Sequence, residues 1–214
     1  MNTKYFCIGL HKTGTSTLHH IALNNKLKSI HSVDWANDEN KIKLYDFFSD
    51  GGSHYNKINE IDYEYLYSTY TDSIFIINIR DPKSWIISKL KHAGWNESTI
   101  LIPDSKLIIH DKWTEKTLIN ISLFICHYFD RYIKILEFFL DKKDRGYIVN
   151  IVSGKIENLK LLFKNLNQNI HKNKGNNRKL SNEIIKFIDN EINIVNKNKY
   201  EKLVSLLEQY NFKM

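Results

Sequence analysis

Three groups of residues in this sequence have types and spacings suited to chemistry on an anion. The first is Gly9-Leu10-His11-Lys12-Thr13-Gly14-Thr15-Ser16, which directly follows the apolar run Tyr5-Phe6-Cys7-Ile8. Between a strand and a helix, such a turn presents successive backbone N–H groups and a helix N-terminus to phosphate-like oxygens. Against the pattern G-x-x-x-x-G-K-[ST] it keeps both glycine positions, but Thr15 stands in the lysine position and a lysine, Lys12, comes earlier. An ordinary strand-to-helix turn with a Thr or Ser cap is the plain alternative. The second group is Arg80 with the Asp81-Pro82 that follows it, closing the apolar segment Ser73 to Ile79. An arginine at the carboxyl end of a parallel strand points into the crevice where α/β sheets bind ligands. Its planar fork can grip a phosphate through two parallel hydrogen bonds. Alone, Arg80-Asp81-Pro82 also reads as a helix-start turn.

The third group could move a proton. Asp50 follows Phe47-Phe48-Ser49 and precedes Gly51-Gly52, where an aspartate acts either as a base or as the cap of a Gly-Gly turn. His31, in Ser29-Ile30-His31-Ser32, is the second candidate, with a buried structural histidine as its alternative. His54 reads as exposed, His127 as a core histidine, and His19-His20 as facing neighbouring helices or solvent.

The elements that must position these groups follow from periodicity. Strands are expected at Tyr5 to Leu10, Lys28 to Val33, Leu44 to Ser49, Ser73 to Ile79 and Tyr147 to Val152. Helices are expected at Ser16 to Asn24, Ile61 to Tyr70, after Pro82, Thr117 to Leu140 and Ile156 to Leu166, with two weaker ones to the end. Strands apolar on both faces and alternating with helices predict a three-layer α/β/α P-loop fold with a central, mainly parallel sheet of about five strands. The reading is one domain over 1–214, with its core at about 5–166 and a basic loop plus helices over 167–214.

No segment approaches the roughly 20 apolar residues of a bilayer span, and the sequence predicts neither signal peptide nor anchor. Two cysteines, Cys7 and Cys126, make no disulfide framework and lack metal-ligand spacing, which fits a reducing cytoplasmic setting. A net charge of +7 favours an anionic ligand without choosing between nucleic acid and nucleotide.

Lys12-Thr13-Gly14-Thr15-Ser16-Thr17 resembles the 5′-phosphosulfate loop of sulfotransferases that use 3′-phosphoadenosine 5′-phosphosulfate (PAPS). Arg80 and Ser88 stand at the spacing by which that family holds the cofactor's 3′-phosphate. The stretch Ile61 to His92 is similar to the matching segment of small bacterial and viral members, and the resemblance covers roughly residues 5–166. It implies in-line transfer of a sulfuryl group to a hydroxyl or amine, without a metal, leaving 3′-phosphoadenosine 5′-phosphate (PAP). It further implies that His11, Lys12, Thr13, Gly14, Thr15, Ser16 and Thr17 line the phosphosulfate site, with Lys12 stabilising the leaving phosphate. Asp50 would be the base, with His31 in reserve. The basic segment Lys172 to Arg178 is similar to the loop that closes over the 3′-phosphate, and also reads as a solvated charge run. The acceptor stays open among glycan, lipid, small molecule and tyrosine.

Two rivals remain. A P-loop kinase or nucleotidase using ATP and Mg²⁺ lacks the expected lysine after Gly14 and a carboxylate on the fourth strand, unless Asp81 supplies one. A non-catalytic nucleic-acid-binding protein would exploit the charge, but no such module motif is present.

Overall fold

The computed structural model describes residues 3–51, 61–91, 99–101, 107–109, 115–166 and 180–214. In chain order the elements are β1 (Tyr5–Cys7), α1 (Thr15–Asn24), β2 (Ser29–His31), a 3₁₀ turn (Trp35–Asn37), α2 (Glu39–Leu44), β3 (Phe47–Ser49), α3 (Tyr63–Thr69), β4 (Ile74–Asn78) and α4 (Pro82–Leu90). They continue as β5 (Thr99–Leu101), β6 (Leu107–Ile109), α5 (Glu115–Phe139), β7 (Gly146–Val149), α6 (Glu157–Leu162), α7 (Asn182–Asn190), a π-helical turn (Glu191–Val195) and α8 (Lys197–Gln209). The chain groups into two compact units, Met1–Arg80 with Asp141–His171, and Asp81–Leu140 with Lys172–Met214.

The first unit carries a five-stranded sheet in the order β2-β3-β1-β4-β7, parallel at every pairing. Strands that pair parallel are buried on both faces, and the alternation of side chains here supplies both. Cys7, Phe47, Ile76 and Val149 face one way and pack with Leu18, Ile21 and Ala22 of α1 and with Leu159 and Phe163 of the α6 region. Phe6 faces the other way, stacked on Trp35 and Phe48 and meeting Tyr70, while Phe75 meets Tyr67 of α3. Helix, sheet and helix thus form the three layers expected. The amino ends of β4 and β7 are tied by Arg145, whose guanidinium donates to Tyr67 O, Tyr70 O and Ser73 O and lies 3.8 Å over the Tyr67 ring.

The expected strands all run past the observed ones, and β3 differs most at its start. Leu44 ends α2 and is two-thirds exposed, so β3 begins only at Phe47. Asp38 starts that helix by accepting from Asn40 N and Lys41 N at 3.0 and 3.1 Å. The antiparallel hairpin β5–β6 and the 3₁₀ turn are further elements that periodicity left unread.

The second unit is mainly helical. In α5 the buried residues Ile121, Phe124, Ile125, Tyr128, Phe129, Tyr132, Ile135, Leu136 and Phe139 recur at helical spacing. Tyr128 meets Trp85 of α4, and Phe129 meets Tyr200 of α8 edge-on. Helix α4 opens as its sequence dictates, with Pro82 in the first turn and Asp81 accepting from Ser84 N at 2.8 Å. Among the described residues no helix is long and apolar enough to cross a membrane.

Candidate functional site

In the first unit the chain runs from β1 to β2 and β3 on one side, then to β4 and β7 on the other. Ligands of open parallel sheets collect at the carboxyl ends of strands beside such a reversal. The loop after β1 lies there, and so do His31, Asp50 and Arg80, each at or just beyond the end of its own strand.

The loop is held from beneath by Asn78. Gly9 N–H donates to Asn78 Oδ1 at 3.0 Å, Asn78 Nδ2 donates to Thr13 Oγ1, and Thr13 Oγ1 in turn donates to Leu10 O. Only glycine fits at position 9, because a Cβ would stand 1.9 Å from Asn78 O. Gly14 is needed on two counts: its φ is 98°, and a Cβ would meet Ile151 Cβ at 2.6 Å. Asn78 was not read from sequence as a site residue. The signal was there, since an asparagine inside Ile-Ile-Asn-Ile is a buried amide that must find partners.

Helix α1 starts at Thr15 with no side chain capping it and no acidic residue in its first turn. Its leading N–H groups have no intrahelical acceptor, and the helix dipole adds partial positive charge there. Lys12 sits in this turn at φ 63°, a conformation that disfavours any residue but glycine. Arg80 Nη1 donates to the Lys12 carbonyl at 3.1 Å. Burial lowers the Lys12 pKa; Asp50 pulls it back up and Arg80 pushes it further down, so both charges act on that ammonium.

Asp50 also has a positive φ, 60°. Its carboxylate accepts from Thr15 Oγ1 at 3.1 Å and lies 3.9 Å from His31 Nε2. His31 Nε2 also meets Ser16 Oγ at 3.2 Å, while its Nδ1 meets Ser49 Oγ at 2.9 Å. Burial lowers the His31 pKa, Asp50 raises it and His20 lowers it. The His19 ring lies 5.6 Å from that of His31, with Nδ1 bonded to Ser29 Oγ at 2.7 Å, and its pKa is lowered by burial and then by His31 and His20. Trp35 fixes this corner: Nε1 donates to Ser49 O at 3.1 Å, and its ring fills the space where a Gly51 side chain would go.

The structure therefore brings Lys12, Thr13, Gly14, Thr15, Ser16, His31, Asp50 and Arg80 to one edge of the sheet. His11, Thr13, Thr15 and Thr17 are buried. Ser88 lies half-buried on α4 of the second unit. Asp81 is the α4 cap, and His127 is half-buried on α5. His54 and Lys172 to Arg178 lie outside the described residues. Among the described residues no group of three or more His, Cys, Asp or Glu side chains could hold a metal ion.

Comparison of the chain with protein-family models, with curated proteins and with solved structures finds no match.

Proposed function

We propose that this chain is a PAPS-dependent sulfotransferase that passes a sulfuryl group to a hydroxyl or amine. The observation that carries the reading is the joining of Arg80 to the loop that precedes the uncapped start of α1, its Nη1 donating to the carbonyl of Lys12 at 3.1 Å. Burial lowers the Lys12 pKa most, Asp50 opposes that and Arg80 adds to it, so an anion bound against the first turn would offset the cost of burying the ammonium. The residues present fit an anionic donor with several charged oxygens: one ammonium, one guanidinium and a row of leading N–H groups. When bound, PAPS supplies an activated sulfuryl group on a phosphate leaving group. Arg80 is the residue of this chain suited to its 3′-phosphate, and Ser88 is the second by resemblance.

For the proton we favour His31 over Asp50. Ser49 Oγ has Ile30 O as an acceptor 3.5 Å away, so its lone pairs are turned to His31 Nδ1–H. That tautomer leaves the Nε2 lone pair on the side of Ser16 and Asp50. Burial keeps the ring neutral at pH 7, the form that accepts a proton. Asp50 already accepts from Thr15 and raises the basicity of His31, which suits a carboxylate that stabilises the ring once Nε2 has taken a proton. Lys12 meets charge that develops on the departing oxygen. The acceptor's class stays open among glycan, lipid, small molecule and tyrosine.

A second reading has one observation in its favour. A loop hydroxyl paired with an aspartate at the end of the adjacent strand is how P-loop enzymes hold Mg²⁺, and Thr15 with Asp50 forms such a pair. Binding of PAP compared with ATP·Mg²⁺ separates the two readings.

A further inference from the structure

The second unit holds a thiol in an unusual setting that the proposed reaction does not use. Cys126 lies half-buried on α5, and one turn later the same helix carries Asp130. Lys199, from α8, reaches both. Its Nζ lies 3.1 Å from Cys126 Sγ and 2.7 Å from Asp130 Oδ1, and the sulfur lies 3.6 Å from Asp130 Oδ2. Cysteine, lysine and aspartate thus form a closed triangle between two helices.

Each member has a chemical part. Asp130 is a proton acceptor for the thiol, and the Lys199 ammonium stabilises charge on sulfur. Burial works against the Lys199 charge, but its hydrogen bonds to Asp130 and Cys126 outweigh that and hold its pKa above the ordinary value. An oxidised sulfur at this place faces the Lys199 nitrogen already in contact, and its loss of a proton leaves an amine placed for intramolecular capture. Sulfenic acids are known to condense with a nitrogen to form a sulfenamide.

We propose that Cys126 is a peroxide-sensitive modification site whose sulfenic acid is captured by Lys199, joining α5 to α8 through an S–N bond. In the first step the sulfur attacks hydrogen peroxide, the O–O bond breaks, sulfur is oxidised to Cys–SOH, and peroxide is reduced to water. In the second step Lys199 releases one proton to solvent, a loss that its raised pKa opposes and higher pH promotes, and the free amine attacks sulfur. The S–O bond breaks, and the second amine proton leaves with hydroxide as water. Overall, thiol, ammonium and one peroxide give the S–N link, two waters and one proton. Two equivalents of an external thiol reverse it, restoring thiol and amine and leaving a disulfide of the reductant. Cys7 is the internal control, because it is fully buried in the sheet and burial pushes its thiol well above the ordinary range.

The experiment treats the full chain with hydrogen peroxide at neutral pH and reads intact mass and a non-reducing peptide map. The expected product is lighter by two hydrogens, joins the Cys126 and Lys199 peptides, and returns to starting mass with dithiothreitol. Lys199→Arg keeps a cation beside sulfur but removes the amine. It should stop at a sulfenic acid trapped by dimedone, with no joined peptide. The wild-type map decides the matter even if that variant folds poorly. A wild-type protein that gains oxygen at Cys126 without joining Lys199, or that oxidises Cys7 first, overturns the proposal.

Discussion

Thr15 donates its hydroxyl to Asp50 across 3.1 Å, tying the start of α1 to the end of β3. On its far side the same carboxylate stands 3.9 Å from His31 Nε2. One aspartate therefore serves a loop hydroxyl and an imidazole together, and its removal should be felt at both. Asp50→Asn removes the charge that raises the His31 pKa, so the His31 titration, followed by NMR of its ring protons, should move further down. An unmoved His31 titration would show that the two do not act on each other.

If His31 takes the proton, His31→Gln should lower turnover by about 10²–10⁴-fold while PAP binding persists. The rate in the wild type should rise with pH through a midpoint below the ordinary histidine value of about 6.5. Asp50→Asn should keep more activity than His31→Gln. The opposite order would return the base to Asp50.

The same lowered values make a stability prediction. His19 and His31 have folded pKa values below their unfolded ones, so the unfolded chain binds more protons as pH falls. Their stabilising contribution is in full above about pH 6.5. It is lost progressively as pH falls from there through the folded pKa values. The melting temperature should therefore drop between pH 7 and pH 5, and His19→Gln with His31→Gln should flatten that part of the curve.

Lys12 pays a backbone penalty that two substitutions separate from its charge. The αL conformation costs a non-glycine residue about 1–2 kcal/mol, and glycine's extra freedom in the unfolded chain offsets about 0.5–1 kcal/mol of the relief. Lys12→Gly should thus unfold at a denaturant midpoint higher than Lys12→Ala, and both should bind PAP more weakly than wild type. A Lys12→Gly protein less stable than Lys12→Ala would mean the loop is not held at φ 63°.

Much of the site's outline was legible because its parts are local. The strand β1, the glycine spacing and the helix after it lie within twenty residues, and the apolar strand β4 marks its own end at Arg80. What stayed hidden depends on contacts distant in sequence. Asn78 reaches the loop across 69 positions, and Trp35 of the 3₁₀ turn reaches Ser49 across 14. Asp50 read equally well as base or turn cap, and its partner Thr15 is 35 positions away. The start of β3 was misplaced because Asp38 caps a short helix that ends on an exposed leucine, which carries no amphipathic signal.

The central claim is that the loop and Arg80 read an adenosine nucleotide carrying a 3′-phosphate, and melting temperature with PAP, 5′-AMP or ATP·Mg²⁺ measures it most directly. A ligand at 100 times its Kd stabilises the folded state by about 2.7 kcal/mol, which is a readily measured shift. PAP should raise the melting temperature, AMP should do so far less, and Arg80→Ala should erase the difference while Arg80→Lys restores part of it. Equal shifts with PAP and AMP, or a larger shift with ATP that EDTA abolishes, would contradict the account.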